Sequence, residues 1–291
     1  MKILWCLAMV VFYHMIRADS VLAWGPGIHT VTALSVLDDV RILMPAVARI
    51  ISAFPLEFMY GCLSADFFVG KNSVARNSSL HNWKGGFKFL REAREDREAA
   101  YAYGFLSHLA ADVPAHNYFI TSLMVSYPNL AGAGHLYWEM KADYLVGPVY
   151  IKLARDVLRM DHKGCDERLK RMVGKKRSAL KAKKKIFTQS VRFSDYVCDA
   201  RDNFFNGKTV VDRAFIDSLA FMVEFSCRAV KDFLKNPHAS PCLLYDPSGK
   251  KSLRLARRRA ALATWTKARR LLPWANVGSS SPSHGNVPRG G

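Results

Sequence analysis

Residues 108–116 read HLAADVPAH, which sets His108, Asp112 and His116 four residues apart in a stretch otherwise made of Ala, Leu, Val and Pro. On a helix, four-residue spacing stacks side chains along one face. Two imidazoles and a carboxylate among apolar neighbours are costly to bury unless they are paired or hold a cation. The segment HLYWE repeats the device, with His135 and Glu139 again four apart. Neutral imidazole and ionised carboxylate are good zinc ligands at about 2.0–2.2 Å. Taken alone, each pair reads more readily as ordinary helix core. Two such pairs with a third histidine point to a metal site. A donor set of nitrogen and oxygen without thiolate suits a catalytic zinc better than a structural one.

Other residues of the same chemical kind lie upstream. Asp66 is a lone acid in the apolar run CLSADFFVG, and His81 follows the polar stretch KNSVARNSSLHNW. Asp66 also reads as a helix cap, because Ser64-Ala65-Asp66 resembles a cap region. His29 follows Trp24 in WGPGIH, and on its own it reads as a capped or solvent-facing residue.

Helices must position these groups. Apolar residues recur at three- and four-residue intervals over 31–54, 86–106 and 135–160, and strand signals are scarce. Breaks fall at Gly25-Pro26-Gly27, around Pro45 and Pro55, at 70–79 and at Pro128-Asn129. Pro114 must kink or end the helix that carries His108 before it reaches His116. The expected fold is all-α, a compact multi-helix domain over 24–245 with a basic insertion. A basic and low-complexity tail follows over 246–291, disordered from residue 272 on. Residues 1–23 combine Lys2, a short apolar run and a small-residue end before Trp24, the zones of a secretory signal. The mature chain is therefore expected to begin at Trp24 and to be exported, with a retained signal anchor as the alternative. No later segment is long and apolar enough to span a bilayer.

The formal charge of +19 is localised. Residues 163–185 hold 11 Lys/Arg and 2 acids, and residues 250–270 hold 9 Lys/Arg and no acid. Together they account for nearly the whole excess, so the rest of the chain is close to neutral. Such segments favour anionic membrane surfaces or polyphosphates, or they are simply solvated basic faces. The second, with Leu253, Leu255, Leu262 and Trp265, also reads as an amphipathic surface helix. Beyond the signal five cysteines remain, none spaced CxxC, which argues against a thiolate zinc site.

The ordered series Trp24, His29, Asp66, His81, His108-xxx-Asp112, His116, His135-xxx-Glu139 resembles the zinc-dependent phospholipase C family. The resemblance covers roughly residues 24–160, with the phrases AWGPG, YGCLSAD and HLAADVPAHNYF. It implies an all-helical fold, up to three zinc ions and hydrolysis of a phosphodiester, most simply a phospholipid. It further implies that the free amino group and carbonyl of Trp24, with His29 and Asp112, hold one zinc. Asp66, His81, His108 and Asp112 hold a second, and His116, His135 and Glu139 a third. Asp66 is then the candidate general base. Two features depart from the lipases. WGPGIH has the short Trp-to-His spacing of the related zinc-dependent single-strand nucleases, and Phe67 after Asp66 leaves no mappable choline-recognising aromatic box. Glu139, by contrast, is the lipase-like choice. Nucleic acid is therefore the alternative substrate, and a non-catalytic, zinc-stabilised membrane-docking module is a third reading.

Overall fold

The computed structural model describes residues 24–68, 80–127, 134–173, 181–182, 184–189, 191–192 and 213–271. The expected signal at 1–23 and the expected disordered tail at 272–291 lie outside these residues. Among the described residues the elements are helices and short 3-10 or π turns, with no strand. No single described helix is long and apolar enough to cross a membrane.

Proline sets the start of four helices. Pro26, Pro45, Pro55 and Pro148 open α1 (Pro26–Asp38), α2 (Pro45–Ala53), α3 (Pro55–Ser64) and, further on, α8 (Pro148–Arg159). Proline's fixed φ suits the first turn, and its missing N–H would have had no intrahelical partner there. Between these lie α4 (Trp83–Arg91), α5 (Asp96–Pro114), α6 (Ile120–Ser126) and α7 (Gly134–Val146). The chain continues through α9 (Lys163–Val173), α10 (Arg213–Lys235) and α11 (Lys250–Leu271).

Helix α5 is the axis of the fold. Every residue from Ala100 to Pro114 is buried, so the helix is enclosed on all sides rather than along one stripe. Its surroundings are α3, α10, α4, α2 and α1, with α3 making the most extensive contact. That crossing depends on two glycines. A Cβ on Gly61 would run into the Tyr101 carbonyl, and one on Gly104 would run into the Phe58 carbonyl. With both side chains absent, α3 and α5 meet backbone to backbone. Phe58, Phe89 and Phe105 fill the space on either side of the crossing.

The first basic segment is partly built into the fold. In α9 the buried Arg168 forms an ion pair with Glu98, Arg171 lies 3.5 Å from the same carboxylate, and Cys165 and Leu169 face the core. Lys184 pairs with Asp166 at 2.5 Å. The four described cysteines, Cys62, Cys165, Cys227 and Cys242, are free thiols.

Candidate metal centre

The site is assembled from the end of α3, the starts of α1 and α4, and the last turns of α5 with the π turn that follows it. Asp66 sits in a 3-10 turn, Ala65–Phe68, that extends α3, so it follows a helix rather than capping one. His108 and Asp112 lie on one face of α5. That helix ends at Pro114, as the proline demands, and a π turn over Ala115–Phe119 carries the chain into α6. The wider turn keeps His116 on the same side as Asp112, with Nε2 3.9 Å from Asp112 Oδ2. His29 comes from the first turns of α1, and His81 from the residues just before α4.

Asp112 is where these groups converge. Its Oδ1 lies 3.4 Å from His29 Nε2, and its Oδ2 lies 3.3 Å from His108 Nε2 and 3.4 Å from His81 Nε2. Asp66 Oδ1 approaches His108 Nε2 at 3.4 Å and His81 Nε2 at 4.0 Å. Donor atoms of His29, Asp66 and His108 lie within 4.8 Å of one another, as do those of His81, His108 and Asp112. All are buried. Among the described residues, Asp66 and Asp112 make ion-pair contacts only with imidazoles, never with Lys or Arg.

Hydrogen bonding fixes how the imidazoles face inward. His108 Nδ1 donates to the Cys62 carbonyl at 2.7 Å. A carbonyl only accepts, so the proton sits on Nδ1 and Nε2 is turned to the cluster, the orientation in which metal-bound histidines are held. This bond exists because the glycine crossing brings α3 against α5. His81 Nε2 and His108 Nε2 face each other at 3.0 Å across the site. Neither ring nitrogen of His29 has a hydrogen-bond partner among the described residues, although the residue is buried. Buried polar atoms without partners are rare and call for an explanation. A cation shared by His29 and Asp112 supplies one, and imidazole and carboxylate are the donors zinc takes.

Burial and neighbouring charge push the stacked rings of His29 and His108, 3.8 Å apart, in opposite directions. Burial, reinforced by His108, lowers the pKa of His29 and keeps it neutral. Burial also opposes charge on His108, but Asp112 and Asp66 outweigh it and push its pKa up to about 10. Asp112, despite its burial, is held well below the usual carboxylate range, chiefly by His108. In the metal-free protein, His108 therefore carries a proton where a cation would sit, and a metal entering the site must displace that proton.

Trp24 stands at the entrance to α1. Its indole N–H donates to Ser226 Oγ on α10 at 3.0 Å, and its ring lies 5.0 Å from Phe119. Glu139 is buried on α7. His135 lies on the first turn of the same helix, but its side chain is outside the described residues.

Sequence reasoning missed Asp143. This buried carboxylate accepts the backbone N–H of Gly27 at 2.9 Å and of Ile28 at 3.0 Å, and so caps α1 from α7. Gly25 offers no side chain to do so. The glycines of Trp24-Gly25-Pro26-Gly27 have a steric purpose, since a Cβ at either one would meet the Asp143 carboxylate. Burial raises the pKa of Asp143 to about 7 against the pull of the two N–H groups, and Glu139 and Asp66 add to the rise. The signal was present in the sequence, because Asp143 continues the four-residue series of His135 and Glu139 on one helical face. Replacing it removes a cap from the segment that presents Trp24 and His29. Asp143→Ala is expected to lower the unfolding free energy by about 2 kcal/mol, read by thermal or urea unfolding, while Asp143→Asn loses less.

The comparison with known proteins bears on this geometry directly. The chain matches the family pattern of zinc dependent phospholipase C over residues 28–186, more than half of its length. The chain belongs to the zinc-dependent phospholipase C family. No curated protein and no solved structure matches it. The matched span contains every candidate ligand except Trp24, which lies just before it. Helices α10 and α11 lie beyond the span and still touch the site. Ser226 of α10 holds Trp24, and Gly249, at φ +53°, leads into α11 with its backbone against His116. A side chain at Gly249 would overlap the Cβ of His116.

Proposed function

We propose that this member of the family is an exported phospholipase C. It hydrolyses the phosphodiester of a phospholipid on the glycerol side, with up to three zinc ions held by Trp24, His29, Asp66, His81, His108, Asp112, His116, His135 and Glu139. The observation that carries the reading is the convergence of buried imidazoles on Asp112 and Asp66 with no Lys or Arg among them. Imidazole and carboxylate in this arrangement are the donors that zinc takes. Bound zinc supplies Lewis-acid polarisation of the phosphoryl oxygens and makes a water acidic near neutral pH.

The chain's own residues supply orientation and proton transfer. Cys62 fixes the tautomer of His108, and Asp112 holds His29, His81 and His108 around one point. Asp66 and His81 are 8% and 6% exposed, against 1% or less for His29, His108, Asp112 and His116, so the cluster opens on the Asp66 side. Asp66 is placed there to accept the proton of the attacking water as its oxygen bonds to phosphorus and the bond to the glyceryl oxygen breaks. Removal of residues 1–23 would expose the α-amino group of Trp24. Its ordinary pKa of about 7.7–8.0 lets it yield a proton to a metal, so export would complete the site.

The test is a direct comparison of substrates. Chain beginning at Trp24 and loaded with zinc should release phosphocholine from phosphatidylcholine and leave single-stranded DNA intact. Cleavage of DNA without lipid hydrolysis would assign the site to nuclease chemistry instead.

A further inference from the structure

The two basic segments, equal in net charge, part company in the structure. In the first, Lys170, Arg168, Arg171 and Lys184 are each paired with an acid. In the second, Lys250, Lys251, Arg254, Arg257, Arg258 and Arg259 are exposed, and none has an ion-pair partner among the described residues. Among the described side chains of α11, Leu253, Ala256 and Ala260 form one buried stripe against the body of the protein, where the helix packs on α6 and the π turn. Diametrically opposite, at helical spacing, stand Lys251, Leu255, Arg258 and Leu262. Leu255 is 50% exposed and Leu262 62%.

We propose that this outer face of α11 is a docking surface for an anionic lipid bilayer. Charge complementarity sets the partner's sign, since residues 250–270 contain nine Lys/Arg and no acid. The two leucines set its kind. Alternating leucine and cation on one exposed helical face lets apolar side chains enter the acyl boundary while the cations stay among the head groups. A nucleic acid backbone would use the cations but leave the leucines in water, and the described part of this face has no aromatic ring on which bases could stack. The surface lies close to the metal centre, because the turn that begins α11 packs Gly249 against His116. Docking goes beyond the hydrolytic reading and does not depend on it.

The test is sedimentation of the full chain with vesicles of phosphatidylcholine, with and without phosphatidylglycerol, at low and high salt. Binding is expected only with phosphatidylglycerol, and it should weaken as salt rises. Arg254→Gln with Arg258→Gln should lower partitioning roughly fivefold for each charge removed. Leu255→Ser with Leu262→Ser should lower it about tenfold. Both pairs are surface changes, so helical circular dichroism and hydrolysis of a soluble phosphodiester should stay as in the parent. Vesicle binding unchanged by either pair would overturn the proposal. So would binding to single-stranded DNA that is lost with the arginines but not with the leucines, which would mark a nucleic-acid surface. A chain that docks on vesicles but hydrolyses nothing would leave the docking intact and refute the enzymatic reading alone.

Discussion

Asp112→Asn should empty the metal centre while leaving the shape of the side chain in place. Asp112 is in contact with His29, His81, His108 and His116 together, through both of its oxygens. Replacing one oxygen by an amide removes the negative charge and turns two donor hydrogens toward imidazoles. Partners that merely orient metal ligands cost 10–100-fold when lost, so a shared ligand should cost more than about a hundredfold in zinc affinity and in activity. The metal-free protein should suffer as well. Protonated His108 would keep only Asp66 as a counter-charge, and breaking a buried ion pair typically costs about 3–5 kcal/mol. Zinc analysis and unfolding measured on the same variant read both effects. A variant that kept its zinc would remove Asp112 from the centre of the site.

Gly104→Val should be the most damaging change outside the ligand set. The added side chain meets the Phe58 carbonyl and the Cys62 backbone nitrogen, and main chain within a packed helix cannot step aside. Overpacking a core typically costs about 1–3 kcal/mol, and a clash with backbone belongs at or above the top of that range. Against a total stability of about 5–15 kcal/mol, the change threatens folding. Short of unfolding, α3 and α5 must separate, which lengthens the 2.7 Å bond from His108 Nδ1 to the Cys62 carbonyl. Zinc binding should therefore weaken even in molecules that remain helical. Gly164→Ala is the matched control. A Cβ there meets nothing within 4 Å, so melting should shift by no more than about 1 kcal/mol in stability.

What the sequence showed and what it hid follow from the range of the interactions involved. That His108 and Asp112 lie together was legible because residues four apart share a helical face, a local geometry. The role of Pro114 was legible for the same reason, and the helix does end there. The all-α fold was legible from apolar spacing and from scarce strand signals, and the breaks expected at Pro26, Pro45 and Pro55 proved to be helix starts. Asp143 shares the four-residue spacing of His135 and Glu139, but its role was hidden, because the helix start it caps lies 115 residues away in the chain. Gly61 and Gly104 were equally silent, since a glycine in a helix signals weakness until the partner helix is known. The basic segments carried the same charge in the sequence. Only the fold reveals that Arg168 is matched by Glu98, 70 residues earlier, while the cations between Lys250 and Arg259 are exposed.

The central claim is that the imidazoles and carboxylates around Asp112 exist to hold zinc and that zinc makes the chain a phosphodiester hydrolase. Metal content and hydrolysis of bis-p-nitrophenyl phosphate, measured on one preparation before chelation, after chelation and after zinc is restored, test it most directly. The account predicts bound zinc, loss of activity with loss of metal, and recovery of both together. A chain that hydrolyses the ester equally well without metal, or that binds zinc and never hydrolyses it, would contradict it.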